Sequence, residues 1–172
     1  KSFLRDLGLA TAPFADVTDA ASMTAALDEI GTPAILKTRR LGYDGKGQRR
    51  LTRVEDGATA FAEIAAGQRG RTGAFEAIVE SWVDYDAEIS VVAARAMDGE
   101  VAIFPVFENQ HHNQILDVSL APARFPAKVL ADATELGRTV LTALDVVGVM
   151  CIELFVTPGG GLLINELAPR PH

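Results

Sequence analysis

The chain has 172 residues, 48% hydrophobic and 23% charged, with a formal net charge of -7 and a single cysteine. That length supports one domain or two small lobes. The acidic balance argues against nucleic-acid binding, which draws on a basic face to release counterions, and one cysteine excludes an internal disulfide framework. No apolar run reaches the ~18 to 20 residues of a membrane helix and no signal peptide is legible, so no membrane role and a cytoplasmic location are expected. A start at Lys1 and a stop at His172, just after a rich motif, suggest a fragment of a longer polypeptide.

In chain order, Phe3, Leu4 and Leu7 predict a short helix closed by Gly8. Residues 12–17 read as a strand, and Asp19 caps a helix carrying Met23, Ala26, Leu27 and Ile30 on one face before Gly31. Residues 34–38 form a strand that feeds a glycine-rich segment, 49–52 return from it, and 55–66 form a helix stopped at Gly67. After a polar connection at 68–73, residues 75–83 read as a strand. Residues 88–97 and 100–106 flank Asp98-Gly99, a two-residue hairpin signal. That register pairs Glu88 with Asn109. Residues 115–121 form a strand and Pro126 opens a long amphipathic helix. Residues 147–156 and 162–167 then make a hairpin around the glycines at 159–161.

Two stretches point to chemistry. Gly42, Tyr43, Asp44, Gly45, Lys46, Gly47 and Gln48 follow Lys37, Arg39 and Arg40; glycines without Cβ let backbone N–H groups approach an anion while the cations offset its charge. The spacing is neither the P-loop nor the dinucleotide fingerprint. A plain hairpin turn at Asp44-Gly45 and a phosphate-covering loop both fit. In the last hairpin, a turn centred between Gly159 and Gly160 sets Glu153 directly opposite Glu166. Like charges there lie about 4.5–5.5 Å apart at Cβ and destabilise the ladder, so they need a cation between them or raised pKa values, unless the register is off by one. Asn165 offers a further oxygen. Oxygen-only donors suit Mg²⁺ with substrate phosphates. Cys151 reads as a core side chain, and His111 and His112 as anion-binding or exposed rather than zinc ligands.

The runs around Lys37 and residues 42–48, Glu80 with residues 84–90, Glu108-Asn109-Gln110-His111, and residues 165–172 (Asn-Glu-Leu-Ala-Pro-Arg-Pro-His) closely resemble the 5-carboxyaminoimidazole ribonucleotide synthases, an ATP-grasp family of purine biosynthesis. The resemblance implies a two-lobed α/β (α+β) ATP-grasp fold with antiparallel-rich sheets. Residues 1–82 would be the small lobe, 83–172 the large lobe, and ATP would lie between them; the family's N-terminal and C-terminal domains are not in this sequence. It implies that Lys37 contacts ATP phosphate, residues 42–48 cover the phosphates, Glu80, Ser81, Trp82 and Val83 hold adenine, and Glu88 binds ribose. His111 matches the family's histidine, Asn165 joins the nucleotide site, and Glu153 and Glu166 bind Mg²⁺. Tyr43, Asp44, Lys46 and Arg170 are candidates for the bicarbonate and acyl-phosphate chemistry. The implied substrates are ATP, bicarbonate and aminoimidazole ribonucleotide, with a homodimer expected by analogy. Alternatives are another ATP-grasp ligase, formate-dependent or of the biotin carboxylase kind, or a non-catalytic ATP-binding module.

Overall fold

The computed structural model describes residues 1–39, 47–67, 75–113 and 115–170. In chain order the elements are α1 (Ser2–Asp6), β1 (Phe14–Val17), α2 (Ala20–Ile30), β2 (Ala34–Thr38), β3 (Gln48–Leu51), α3 (Gly57–Gly67), β4 (Ala77–Ser81), β5 (Ala87–Arg95), β6 (Val101–Ile103), β7 (Phe107–His112), β8 (Ile115–Leu120), α4 (Ala127–Ala143), β9 (Gly148–Val156) and β10 (Leu162–Ala168). They form two compact units, Ala12–Val83, and Lys1–Thr11 together with Asp84–His172.

The first unit is an antiparallel sheet in the order β1-β4-β2-β3. Alternation sends Val17, Ala34, Leu36, Leu51, Ala77 and Val79 to one face, where they pack with Met23, Leu27, Ala60 and Ile64 of α2 and α3. Asp19 caps α2 as its position predicts. Its Oδ1 accepts from the Ser22 N–H at 2.8 Å, while Ser22 Oγ accepts from the Asp19 N–H at 3.0 Å, a reciprocal capping box.

The second unit is an antiparallel sheet in the order β10-β9-β5-β7-β8, with β6 also beside β5. Ile89, Val91, Ile152, Leu154, Val156 and Ile164 share a core with Val129, Ala133, Val140 and Leu141 of α4. Residues 1–11 pack here rather than with the segment that follows them, where the first lobe was expected to begin. Leu4 joins this core, the Ile164 N–H donates to the Ala10 carbonyl at 2.9 Å, and Thr11 bridges Ile164. A single apolar face predicts α1 but carries no information about which sheet it joins.

The β5–β6 and β9–β10 hairpins turn through three residues rather than two. The Ala96 N–H donates to Glu100 O and the Gly99 N–H to Ala96 O, so Met97, Asp98 and Gly99 form the loop, with Gly99 at φ 92°. The pairs beside the turn, Ala94↔Ala102 and Arg95↔Val101, are displaced by one from expectation. Residues 104–106, with Pro105, separate β6 from β7 and absorb that offset, and Glu88 does pair with Asn109.

The sequence pattern of α4 does not mark Gly137 as a contact, yet a Cβ there would lie 2.6 Å from Val91 Cγ1. The missing side chain lets α4 approach β5. Valine is stiff at χ1 and cannot swing aside. Gly137→Ala therefore gains about 1 kcal/mol of helix propensity against about 1–3 kcal/mol of overpacking. Urea melts should show a net loss of stability that Val91→Ala partly relieves; a variant as stable as wild type would show that the close approach is absent.

Candidate active site

Each sheet has one face sealed by helices, and among the described site candidates Lys37, Gln48, Glu80, Glu88, Glu153 and Glu166 lie on the other. In the first unit this open face carries Phe14, Ile35, Lys37, Gln48, Arg50, Ile78 and Glu80, as the pairs Phe14↔Glu80, Ile35↔Glu80, Ile35↔Arg50, Lys37↔Gln48 and Lys37↔Ile78 require. Lys37 Nζ reaches diagonally across the ladder to Glu80 Oε2 at 3.0 Å. Glu80 is 3% exposed, so this ammonium–carboxylate hydrogen bond offsets part of the cost of burying a charge. The segment after Glu80 is tied to the ends of both neighbouring strands. The Ser81 N–H donates to Pro13 O and the Trp82 N–H to Pro33 O, and the Arg50 guanidinium lies 4.1 Å from the Trp82 ring centroid, a cation–π contact. Val83 follows, half-buried.

Of the glycine-rich stretch, Gly42, Tyr43, Asp44, Gly45 and Lys46 lie outside the described residues. Its exit is defined. The Thr38 N–H donates to Gly47 O at 2.8 Å, Gly47 has φ 81°, and a Cβ there would meet Thr38 at 3.0 Å. Only glycine fits this neck without strain.

In the second unit the open face carries Glu88, Ser90, Asn109, Ser119, Cys151, Glu153, Phe155 and Glu166. Glu153 does stand opposite Glu166, and the route is informative. The pairs nearest the turn, Leu162↔Val156 to Ile164↔Leu154, run one position short of the expected register, and a bulge between Ile164 and Glu166 restores it. Without the bulge Asn165 would face Glu153, and Glu166 would turn into the core opposite Ile152. The extra residue is Asn165, so two successive polar side chains stand at one ladder position.

Around the carboxylates runs a hydrogen-bonded set whose connections the sequence motifs do not show. Ser119 Oγ donates to Asn109 Oδ1 at 2.9 Å, Asn109 Nδ2 donates to Ser90 Oγ at 3.0 Å, and Ser90 pairs with Glu153 across the ladder. Tyr85 OH donates to Glu88 Oε1 at 2.8 Å, and His111 Nδ1 lies 3.5 Å from Glu88 Oε2. The alternation Glu88-Ile89-Ser90-Val91 could have placed Ser90 beside Glu88. The roles of Asn109 and Ser119 depend on the β7–β8 pairing, and Tyr85 lies outside any strand.

Cys151 is fully buried. Burial pushes its thiol up to about 11 and the Glu153 carboxylate adds to this, while Arg170 acts in the opposite sense. Arg170 is exposed, and its charge acts on the Cys151 thiol. Among the described residues no group of three or more His, Cys, Asp or Glu side chains forms a metal cage. The β9–β10 ladder offers two carboxylates, Glu153 and Glu166, at one paired position. That set fits Mg²⁺, which takes one or two carboxylates and completes its octahedron with waters and phosphate oxygens.

The ATP-grasp domain pattern matches residues 2–172. The chain belongs to the ATP-grasp family. Its sequence is 45% identical over 172 residues to the N5-carboxyaminoimidazole ribonucleotide synthase of Pseudomonas aeruginosa, covering all of this chain and 45% of that protein. With the Bacillus subtilis enzyme of the same name it shares 38%, covering 43% of it, so the chain spans less than half the length of these relatives. The solved structure of N5-carboxyaminoimidazole synthetase from Staphylococcus aureus complexed with ADP superposes with a TM-score of 0.86 at 31% identity, over all of this chain and 43% of that one. A biotin carboxylase from Campylobacter jejuni reaches 0.91 at 19% identity, covering 100% of this chain and 39% of that one, a likeness of ATP-grasp fold alone.

Two expectations follow from this geometry. A buried thiol raised to about 11 holds little thiolate at pH 8, so iodoacetamide should label Cys151 at least about a hundredfold more slowly in the folded protein than in urea; equal rates would contradict its burial. Glu108, in the same short run as His111, faces the helix-covered side opposite Ile89. Arg124 binds it through Nε at 3.0 Å and through its backbone N–H at 3.2 Å, and the guanidinium hydrogen bonds hold Glu108 down at about 2. A depressed carboxylate stabilises the fold above its unfolded value near 4.5 and loses that contribution as pH falls toward 2. Glu108→Gln should therefore lower stability at pH 7 and flatten its decline between about pH 4.5 and 2; an unchanged acid limb would contradict this.

Proposed function

We propose that the chain binds ATP and serves as the ATP-grasp domain of an N5-carboxyaminoimidazole ribonucleotide synthase. The observation that carries this reading is the bulged ladder that turns Glu153 and Glu166 together onto the open face. The substrate class follows from likeness to synthases along the whole chain.

On this reading bicarbonate oxygen attacks the γ-phosphorus of ATP, giving carboxyphosphate and ADP. The amine of aminoimidazole ribonucleotide then attacks the carboxyl carbon, phosphate departs and the nitrogen loses a proton. The residues supply positioning and electrostatics, as phosphoryl transfer requires. Lys37 lends its ammonium to the phosphates, and Glu80, Ser81, Trp82 and Val83 line the adenine. Glu88 accepts from the ribose hydroxyls, with His111 beside it. Glu153, Glu166 and Asn165 would hold Mg²⁺, which when bound neutralises charge on phosphate oxygens. The loop with Gly42, Tyr43, Asp44, Gly45, Lys46, Gly47 and Gln48 would cover the phosphates and keep water from the acyl phosphate. Arg170 would steady that intermediate.

The test is ADP release by the full-length enzyme carrying this chain. With bicarbonate present, turnover should rise when aminoimidazole ribonucleotide is added, and Glu166→Gln should lower kcat by about 10²-fold or more at saturating Mg²⁺. Turnover indifferent to the ribonucleotide, or dependent on formate, would sink the substrate assignment. Wild-type activity in the variant would sink the metal assignment.

A further inference from the structure

Tyr85 belongs to the short segment between β4 and β5 and is given no part in the reading above. Three contacts close a ring around it. Its phenol ring stacks on Phe155 at 4.4 Å between centroids and 15° between planes. Phe155 lies directly opposite Glu88 in the β5–β9 ladder. The Tyr85 hydroxyl donates back to Glu88 Oε1 at 2.8 Å. The segment is anchored just beyond by the Asp86 N–H, which donates to Val156 O at 2.8 Å. Every link lies within one sheet and its leading segment, so the phenol hydroxyl is held at a fixed place relative to the Glu88 backbone.

We propose that Tyr85 is a positioning residue for ribose recognition, fixing the Glu88 carboxylate so that its remaining acceptor sites meet the 2′- and 3′-hydroxyls of a bound nucleotide. The proposal rests on the reading of Glu88 as the ribose acceptor. A glutamate side chain has three rotatable bonds, and a free one would surrender that freedom on binding a diol. A carboxylate offers about four lone-pair positions. Tyr85 takes one on Oε1 and leaves others open, and the rigid ring stack makes the anchor itself inexpensive in entropy. Partial burial of the phenol, followed by its bond to Glu88, raises Tyr85 to about 12, so it remains a neutral donor across the working pH range. A neutral donor orients the carboxylate without neutralising it, as an arginine would.

The experiment compares ADP with 2′-deoxyADP by titration calorimetry on the full-length enzyme carrying this chain, in Mg²⁺. The wild type should prefer ADP. Tyr85→Phe keeps the ring and its stack, removes only the hydroxyl, and should cut that preference about three- to tenfold, the range of one hydrogen bond's net worth, while affinity for 2′-deoxyADP and the melting temperature stay nearly unchanged. Glu88→Gln, run in parallel, should also collapse the preference. If Tyr85→Phe keeps the wild-type preference while Glu88→Gln loses it, the positioning role is overturned and the ribose reading stands. If Glu88→Gln keeps it, or the wild type shows none, the ribose reading falls and the proposal with it. A purely packing role for Tyr85, which the phenyl ring of Tyr85→Phe preserves, would leave both the melting temperature and the ADP to 2′-deoxyADP ratio where they were, which also overturns the proposal.

Discussion

Two glutamates stand directly opposite each other on the β9–β10 ladder, and the surrounding core fixes them there. Like charges in that relation repel, and a slip of one residue would separate them. The slip is forbidden because the same strands bury Ile152, Leu154 and Ile164 beneath α4, and a one-residue shift would expose them all. The repulsion is thus held in place by hydrophobic burial. At about 25 cal/mol per Å² of apolar surface, three such side chains outweigh one unfavourable pair across a ladder. The bulge at Asn165 completes the device: Leu162 and Ile164 face the core before it and Leu167 after it, so only the bulge lets Glu166 reach the open face while the apolar residues on both sides remain buried.

The same division of labour recurs in each unit. One face of the sheet spends its alternate positions on a helix-covered core, and the other is free to carry charge. In the first unit that charge is balanced locally, Lys37 by Glu80, so a cation sits on a rigid strand beside the neck formed by Thr38 and Gly47. In the second the open face is acidic, with Glu88, Glu153 and Glu166 on adjacent strands. Polyphosphate would be repelled from such a face without an intervening cation. Under the proposed function, the acidic face makes ATP recognition depend on the metal it carries.

Much of this was legible in residue order. Alternation in residues 34–38 and 148–156 places Lys37 and Glu153 away from the core, and the glycines at 159–161 locate the turn closely enough to bring Glu153 to Glu166. What escaped the sequence has a common cause, namely geometry set by partners distant in the chain. The bulge at Asn165 has no signature of its own, and the register shift that leads to it comes from a three-residue turn that the glycines at 159–161 do not distinguish from a two-residue one. The docking of residues 1–11 onto the second sheet depends on Ile164, far along the chain. Gly137 looks like a weak point in a helix until Val91 is seen beneath it. Tyr85, outside any periodic segment, acquires meaning only through Phe155.

Glu88 and Glu108 show how one sheet separates a structural carboxylate from an available one. They lie on neighbouring strands at adjacent ladder positions, Glu88 opposite Asn109 and Glu108 opposite Ile89, and so on opposite faces. Glu108 is gripped by both the guanidinium and the backbone N–H of Arg124, which holds it far below the ordinary carboxylate range. Its charge is matched and its acceptor sites are largely occupied, so it fastens β7 to the segment before α4. Glu88 receives a neutral phenol on one oxygen and a histidine nitrogen at the longer distance of 3.5 Å on the other. A neutral donor lends direction and leaves the negative charge in place, whereas a charged fork lends affinity and consumes it. The nature of the partner, more than the carboxylate itself, determines which glutamate remains available to a hydroxyl-bearing ligand.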